Sequence, residues 1–279
     1  MDIITIDIGN TTISVAVFDD GKLEKSTFLP IAEHEKLVDV LKEYREMCGP
    51  QEFGASTVPV VGCSVNPKAT ELVEAALDKA LNQRLLLAGR DFALEMKVAL
   101  SEPEAVGSDR LLCAYAAFEV VNGACLVADF GTATTIDLVS DQGIFLGGVI
   151  LPGLDLAAKS LNEHTAVLPE VEIQTPTTEF AFGIDTVSAI NNGIYHSAVG
   201  TLRQMAEQYA TYIGTWPQVV VTGGYSKMIA EKCDFIDSLV PELMFYGLNL
   251  AYTRYRQSQE EDLSSQLKDA NLFEEDDEE

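Results

Sequence analysis

No run in this chain is apolar for long enough to span a bilayer, and the first residues enter a strand pattern without a basic leader. A cytoplasmic protein with no membrane partner is the expectation. Paired cysteines are also missing. Cys48, Cys63, Cys113, Cys125 and Cys233 are odd in number, scattered and free of C-x-x-C spacing, so they read as structural thiols rather than a disulfide framework. The three histidines, His34, His164 and His196, form no cluster in sequence, which argues against a zinc centre. Basic residues are scarce, with 18 Lys and Arg against 44 Asp and Glu for a net charge of −26. Nucleic acid is thereby disfavoured as a partner, because phosphate backbones are bound through lysine and arginine. Much of the acid sits at the end, where Glu260 to Glu279 holds ten acids and one lysine and reads as a disordered, solvating tail over 259–279. An anionic ligand on so acidic a chain needs local help from backbone N–H groups, helix ends, metal ions or a placed arginine.

What the chain does have is a repeat. Asp7, Gly9, Thr12, Asp19 and Gly21 recur 122 positions later as Asp129, Gly131, Thr134, Asp141 and Gly143, with no gap. Each copy reads as a buried strand, a glycine turn carrying an acid and hydroxyls, a second strand and an acidic turn. Glycine lets backbone N–H groups approach an anion, the hydroxyls add donors, and the aspartate can hold a cation against phosphate. A single D-x-G-x-T is as readily a hairpin with an Asx-type turn. Its recurrence favours two hairpins gripping one polyphosphate.

Between and after the copies, strands and helices alternate, as in an α/β domain. A third strand is expected over Lys22 to Phe28 and helices over Glu33 to Met47, closed by Gly49-Pro50, and from about Ala69 to Leu81. Buried strands are expected over Val58 to Cys63 and Leu85 to Gly89. Ser108 is the expected N-cap of a helix reaching Val121, with Asp109 and Arg110 in its first turn. Asp109 there suits the helix dipole whatever else it does. Arg110 fits that role less well and makes sense if it reaches a carboxylate or phosphate. Helices follow from Leu154 to Asn162, from Gly183-Ile184-Asp185-Thr186 onward, from Ser226 to Lys232 and from Tyr246 to Tyr255, with a buried strand at Val219 to Gly224. The long apolar face after Thr186 is core-like yet long enough to leave room for a dimer interface.

These residues resemble the acetate and sugar kinase, Hsp70 and actin superfamily, and within it the type III pantothenate kinases. The matching pieces run through nearly the whole chain: D-I-G-N-T from Asp7, G-S-D-R from Gly107, D-F-G-T-A from Asp129, G-G-V-I-L-P-G from Gly147, A-V-L-P from Ala166, G-I-D-T from Gly183, T-G-G from Thr222 and Y-G-L-N from Tyr246. The resemblance implies an α/β fold of two duplicated ribonuclease-H-like domains, the actin-like ATPase fold, with a central nucleotide cleft. The repeat would divide it into an N-terminal domain over 1–122 and a C-terminal domain over 123–258. It implies transfer of the γ-phosphate of ATP to pantothenate, the first step towards coenzyme A, by a homodimer. Asp7, Ile8, Gly9, Asn10, Thr11, Thr12 and Ile13 would form the first phosphate loop, and Thr132 would contact nucleotide. Asp129 would help hold a monovalent cation, K⁺ or NH4⁺, while Mg²⁺ accompanies ATP. Gly107, Ser108, Asp109, Arg110 and Thr186 would bind pantothenate, with Asp109 as general base. Two positions depart from the family's pattern: Leu100 stands where a pocket tyrosine is common, and Thr12 where an asparagine is. The resemblance also admits a non-catalytic regulator like the Bvg accessory factors, or an actin- or Hsp70-like ATPase.

Overall fold

The structure is a computed structural model that describes residues 2–48, 57–177 and 182–274, with side chains described as far as 262. In chain order the first elements are β1 (Ile3–Ile8), β2 (Thr12–Asp19), β3 (Lys22–Pro30), α1 (Leu37–Met47), β4 (Val60–Ser64), α2 (Pro67–Leu81), β5 (Leu86–Leu87), β6 (Lys97–Val98) and α3 (Ser108–Val121). Then come β7 (Cys125–Phe130), β8 (Ala133–Val139), β9 (Ile144–Pro152), α4 (Leu154–Glu163), α5 (Thr186–Ile213), β10 (Gln218–Thr222), α6 (Ser226–Ala230), β11 (Ser238–Leu239) and α7 (Leu243–Glu274). No described helix is long and apolar enough to cross a membrane.

The chain forms two compact units, one of Met1–Glu95 with Phe245–Glu279 and one of Met96–Met244. In the first, the sheet order is β3-β2-β1-β4-β5, with antiparallel β1–β2 and β2–β3 pairs and parallel β1–β4 and β4–β5 pairs. Side chains alternate across strands. Ile4, Ile6 and Ile8 with Ile13, Val15 and Val17 therefore share one face with residues of α1 and α2 in a single core. On α7, Tyr246 meets Phe18 edge-on, Phe245 lies beside Phe28, and Tyr252 meets Phe92. Asn66 caps α2, its side chain accepting from the Ala69 N–H at 3.2 Å, with Pro67 at the first helical position.

The second unit repeats the first. Its sheet order is β11-β10-β7-β8-β9-β6, so β9-β8-β7-β10-β11 matches β3-β2-β1-β4-β5 in order and direction, and β6 adds an edge. Leu126, Ala128, Phe130 and Ile136 pack on one face with residues of α4, α5 and α6. Cys125, Val127 and Val139 pack on the other with Cys113, Ala114, Ala116 and Ala117 of α3.

Thus α3, which follows the first repeat in sequence, packs in the second unit, and α7 from Phe245 onward belongs to the first. The compact units accordingly do not divide at 122/123, where the repeat places its boundary. The expected helix after Glu33 splits into a 3-10 segment over Ile31–Lys36 and α1; Gly49-Pro50 lies outside the described residues. Gly107, rather than Ser108, occupies the N-cap of α3. The closing helix runs past Tyr255 to Glu274, through a segment composed largely of strong helix formers.

Candidate active site

Both glycine turns close as the repeat implies, but not identically. In the first unit, Ile8 pairs with Ile13 and the Gly9 N–H donates to the Thr12 carbonyl at 2.9 Å. In the second, Phe130 pairs with Thr134 and the Gly131 N–H donates to the Ala133 carbonyl at 3.2 Å. The second turn is one residue tighter, so the offset holds through Gly131 and slips by one along the strand that follows. Asn10, Thr11 and Thr12 are exposed, as is Thr132, while Ile8 and Ile13 are core residues.

The second turn is fastened from two sides. The Gly153 N–H, at the N-cap of α4, donates to the Thr132 carbonyl at 3.1 Å, and the Tyr225 N–H donates to the Phe130 carbonyl at 3.2 Å. The Tyr225 hydroxyl donates to Asp155 in the first turn of α4. A Cβ at Gly153 would run into the carbonyls of Gly131 and Thr132, and one at Gly223 into Asp129 and the Phe130 backbone. Glycine is needed at both places because two backbones meet. Gly223 also has φ +90°, a region that side chains disfavour.

Strand alternation sends Asp129, Thr135 and Asp137 to the face covered by α3, whose first turn carries Asp109 and Arg110. The Arg110 Nε donates to Asp137 Oδ2 at 3.1 Å and Nη2 donates to Asp137 Oδ1, a bidentate fork. The guanidinium lies 5.5 Å from the Phe145 ring centre. Asp137 is 2% exposed. Burial pushes its carboxyl above the usual carboxylate range, and the guanidinium pulls it back. For Arg110, burial works against the charge, but the bonds from Asp137 outweigh it and hold the group above its ordinary value. The two groups therefore compensate each other through a bidentate contact on a buried strand.

Asp109 folds back over its own turn, accepting from the Arg110 N–H at 2.8 Å; a Cβ at Gly107 would strike its Oδ1. That contact accounts for the glycine of G-S-D-R. Asp129 is held differently. Burial, then the like charges of Asp109 and Asp137, raise its carboxyl to about 7. The Thr134 hydroxyl is buried and makes no hydrogen bond.

Of the residues singled out in sequence, Asp109, Arg110 and Asp129 are brought into one electrostatic cluster. Thr186 opens α5 behind the Asp185–Ser188 capping box, exposed in an open groove of about 640 Å³ with Leu168, Ile184, Ile190 and Ile194. No hydrogen bond joins it to the cluster. Leu100 is 36% exposed and would touch a Cβ at Gly147. Sequence reasoning missed Asp137, Asp155 and Tyr225. Only Asp137 left a signal, as a charge set between the apolar residues Ile136 and Leu138.

A β-β-β-α unit built twice on one sheet order, with an acid-bearing glycine turn in each copy, defines a protein of the actin-like ATPase fold. Solved structures agree on the fold. A Baf family transcriptional activator from Campylobacter jejuni matches with a TM-score of 0.55 at 20% identity, over 91% of this chain and 100% of its own. Component A of the (R)-2-hydroxyglutaryl-CoA dehydratase of Acidaminococcus fermentans matches with a TM-score of 0.50 at 12% identity, over 92% and 98%.

Sequence narrows the class further. The type III pantothenate kinase family model matches residues 3–208. A type III pantothenate kinase of Dehalococcoides mccartyi is 33% identical over 255 residues, 90% of this chain and 96% of that one. One of Agathobacter rectalis is 32% identical over 259 residues, 90% and 97%. The chain belongs to the type III pantothenate kinase family.

Proposed function

We propose that this kinase transfers the γ-phosphoryl group of ATP to the primary hydroxyl of pantothenate, giving 4'-phosphopantothenate and ADP for coenzyme A synthesis. The observation that carries the reading is the G-S-D-R turn of α3 seated on the sheet face that bears Asp129, in a chain of this family. Phosphoryl transfer is mostly positioning and charge neutralisation. Asp109 accepts the hydroxyl proton as the new O–P bond forms and the bond from the γ-phosphorus to the bridging oxygen breaks, leaving ADP. A carboxylate placed at the attacking oxygen suffices for this, since the hydroxyl becomes acidic only as it attacks. Arg110 is paired with Asp137, so it offers pantothenate N–H donors, Nη1 among them, rather than an uncompensated charge. Gly107, Ser108 and Thr186 complete the acceptor contacts.

Asp7 to Ile13 and Thr132 bind the phosphates of ATP through backbone N–H groups and hydroxyls. Asp129 fits a monovalent cation, K⁺ or NH4⁺: only burial and like charges act on its carboxyl, and a cation relieves both. A cation held there would supply positive charge to offset the negative charge of the phosphates. No described group of three or more His, Cys, Asp and Glu is placed to hold a metal ion. That suits Mg²⁺ arriving on the nucleotide, held mainly by phosphate oxygens. The exposed apolar side chains Leu156, Val167, Ile184 and Val187 around α4 and α5 support a homodimer, and a cytoplasmic location completes the reading.

The test is product formation. Purified protein with ATP, Mg²⁺, K⁺ and pantothenate yields 4'-phosphopantothenate, and Asp109→Asn abolishes turnover while the circular dichroism spectrum stays unchanged. An Asp109→Asn enzyme that turns over normally would refute the assignment of the base.

A further inference from the structure

We propose that Asp137 is the positioning residue of the acceptor site, holding the Arg110 fork from β8 and so tying the turn that carries Asp109 to the hairpin that carries Asp129. The inference rests on reading Gly107–Arg110 as the acceptor segment.

Asp137 sits between Ile136 and Leu138 in a strand whose last four residues are all buried. A carboxylate there is costly unless it is fully paired. The first unit does without one: once the tighter turn is allowed for, the residue in the place of Asp137 is Ala16, which is fully buried. The acid is therefore not required by the shared sheet architecture. Neighbouring residues are shaped around it, since a Cβ at Gly148 on β9 would run into Asp137 Oδ1 and the Ile136 carbonyl.

An apolar pair would secure α3 to the sheet at least as well, because buried ion pairs add little net stability over apolar replacements of similar volume. What the fork adds is direction. Two parallel N–H···O bonds fix the plane of the guanidinium as well as its distance. Arg110 directly follows Asp109, and the Arg110 N–H is the group that the Asp109 carboxylate accepts from. The N-cap is a glycine with no side-chain cap bond, so the guanidinium adds a side-chain anchor to the turn that the cap does not supply. An error of about 1 Å at the attacking hydroxyl costs on the order of a hundredfold in rate.

The test compares steady-state constants of Asp137→Asn, Arg110→Gln, their double variant and Arg110→Lys with wild type. Asp137→Asn should lower kcat/KM for pantothenate on the order of a hundredfold and leave KM for ATP unchanged, a split that general loosening of the fold would not produce. On the Arg110→Gln background the same substitution should cost nothing further, because the effect runs through Arg110. Arg110→Lys keeps the charge opposite Asp137 but cannot form the fork and should lose activity in the same sense; where Asp137→Asn is not recovered folded, Asp137→Glu, which leaves Arg110 intact but displaces the carboxylate, should show the same split in kcat/KM for pantothenate. Wild-type constants in folded Asp137→Asn or in Arg110→Lys, or losses that multiply in the double variant, overturn the proposal. An inactive Asp109→Asn beside a normal Asp137→Asn removes the positioning role alone, whereas a normal Asp109→Asn removes the acceptor-site reading beneath it.

Discussion

Asp129 and Asp137 lie on one sheet face, and burial raises the carboxyl of each. A guanidinium pulls Asp137 back, while Asp129, raised by burial and then by the like charges of Asp109 and Asp137, rises from 3.8 to about 7. A carboxyl whose folded value exceeds its unfolded one binds more protons in the folded state between those two values. Its contribution to stability is fully present below about 4 and is lost as pH rises towards 7. Asp129→Asn should therefore raise the melting temperature of the nucleotide-free protein at pH 8, with the gain shrinking towards pH 4, in thermal scans at matched ionic strength. K⁺ should raise the wild-type melting temperature at pH 8 and leave that of the variant unchanged. At this scale Asp109 was legible because helix starts and G-S-D-R are local patterns. The partner of Arg110 was not, because it stands 27 residues away on a strand whose register had to be known.

Among the elements, the two hairpins show how far a repeat can be read. The same acids and glycines recur, and both copies form the same antiparallel pair, yet the second turn is one residue tighter. Turn geometry sets hairpin register, and a one-residue slip reverses which face a side chain takes. Gly153 joins the second turn to α4, and Gly153→Ala would press a methyl group onto the carbonyls of Gly131 and Thr132. It should raise KM for ATP and destabilise the protein by about 1–3 kcal/mol, measured by steady-state kinetics and urea titration. Gly200 on α5 has open space where a Cβ would stand. Gly200→Ala should add about 0.5–1 kcal/mol of stability without changing the kinetic constants.

For the whole molecule, the first unit is completed by a helix that follows the second in sequence. Residues Phe245, Tyr246 and Tyr252 of α7 pack against Phe28, Phe18 and Phe92 of the first unit. A chain ending at Met244 should lose the first unit's cooperative unfolding transition in calorimetry. A chain ending at Ser258 should keep it, together with activity, and should be less sensitive to low salt, because ten of the acids that repel one another are gone. All five cysteines are buried thiols, and burial pushes Cys125 up to about 12, so they behave as packing residues, as their scattered spacing suggests.

The order of strands and helices, the duplication, the family and the acid at the start of α3 are carried by local pattern: alternation of two in strands, glycine at turns, and short motifs in a set sequence. Which face of the second sheet receives Asp129 and Asp137, which unit receives α3 and α7, and which carboxylate receives Arg110 depend on pairing register and on packing between segments far apart in the chain. Those contacts exist only once the sheet has formed, because hydrophobic burial and the cost of an unpaired charge then select one partner from many that local sequence allows.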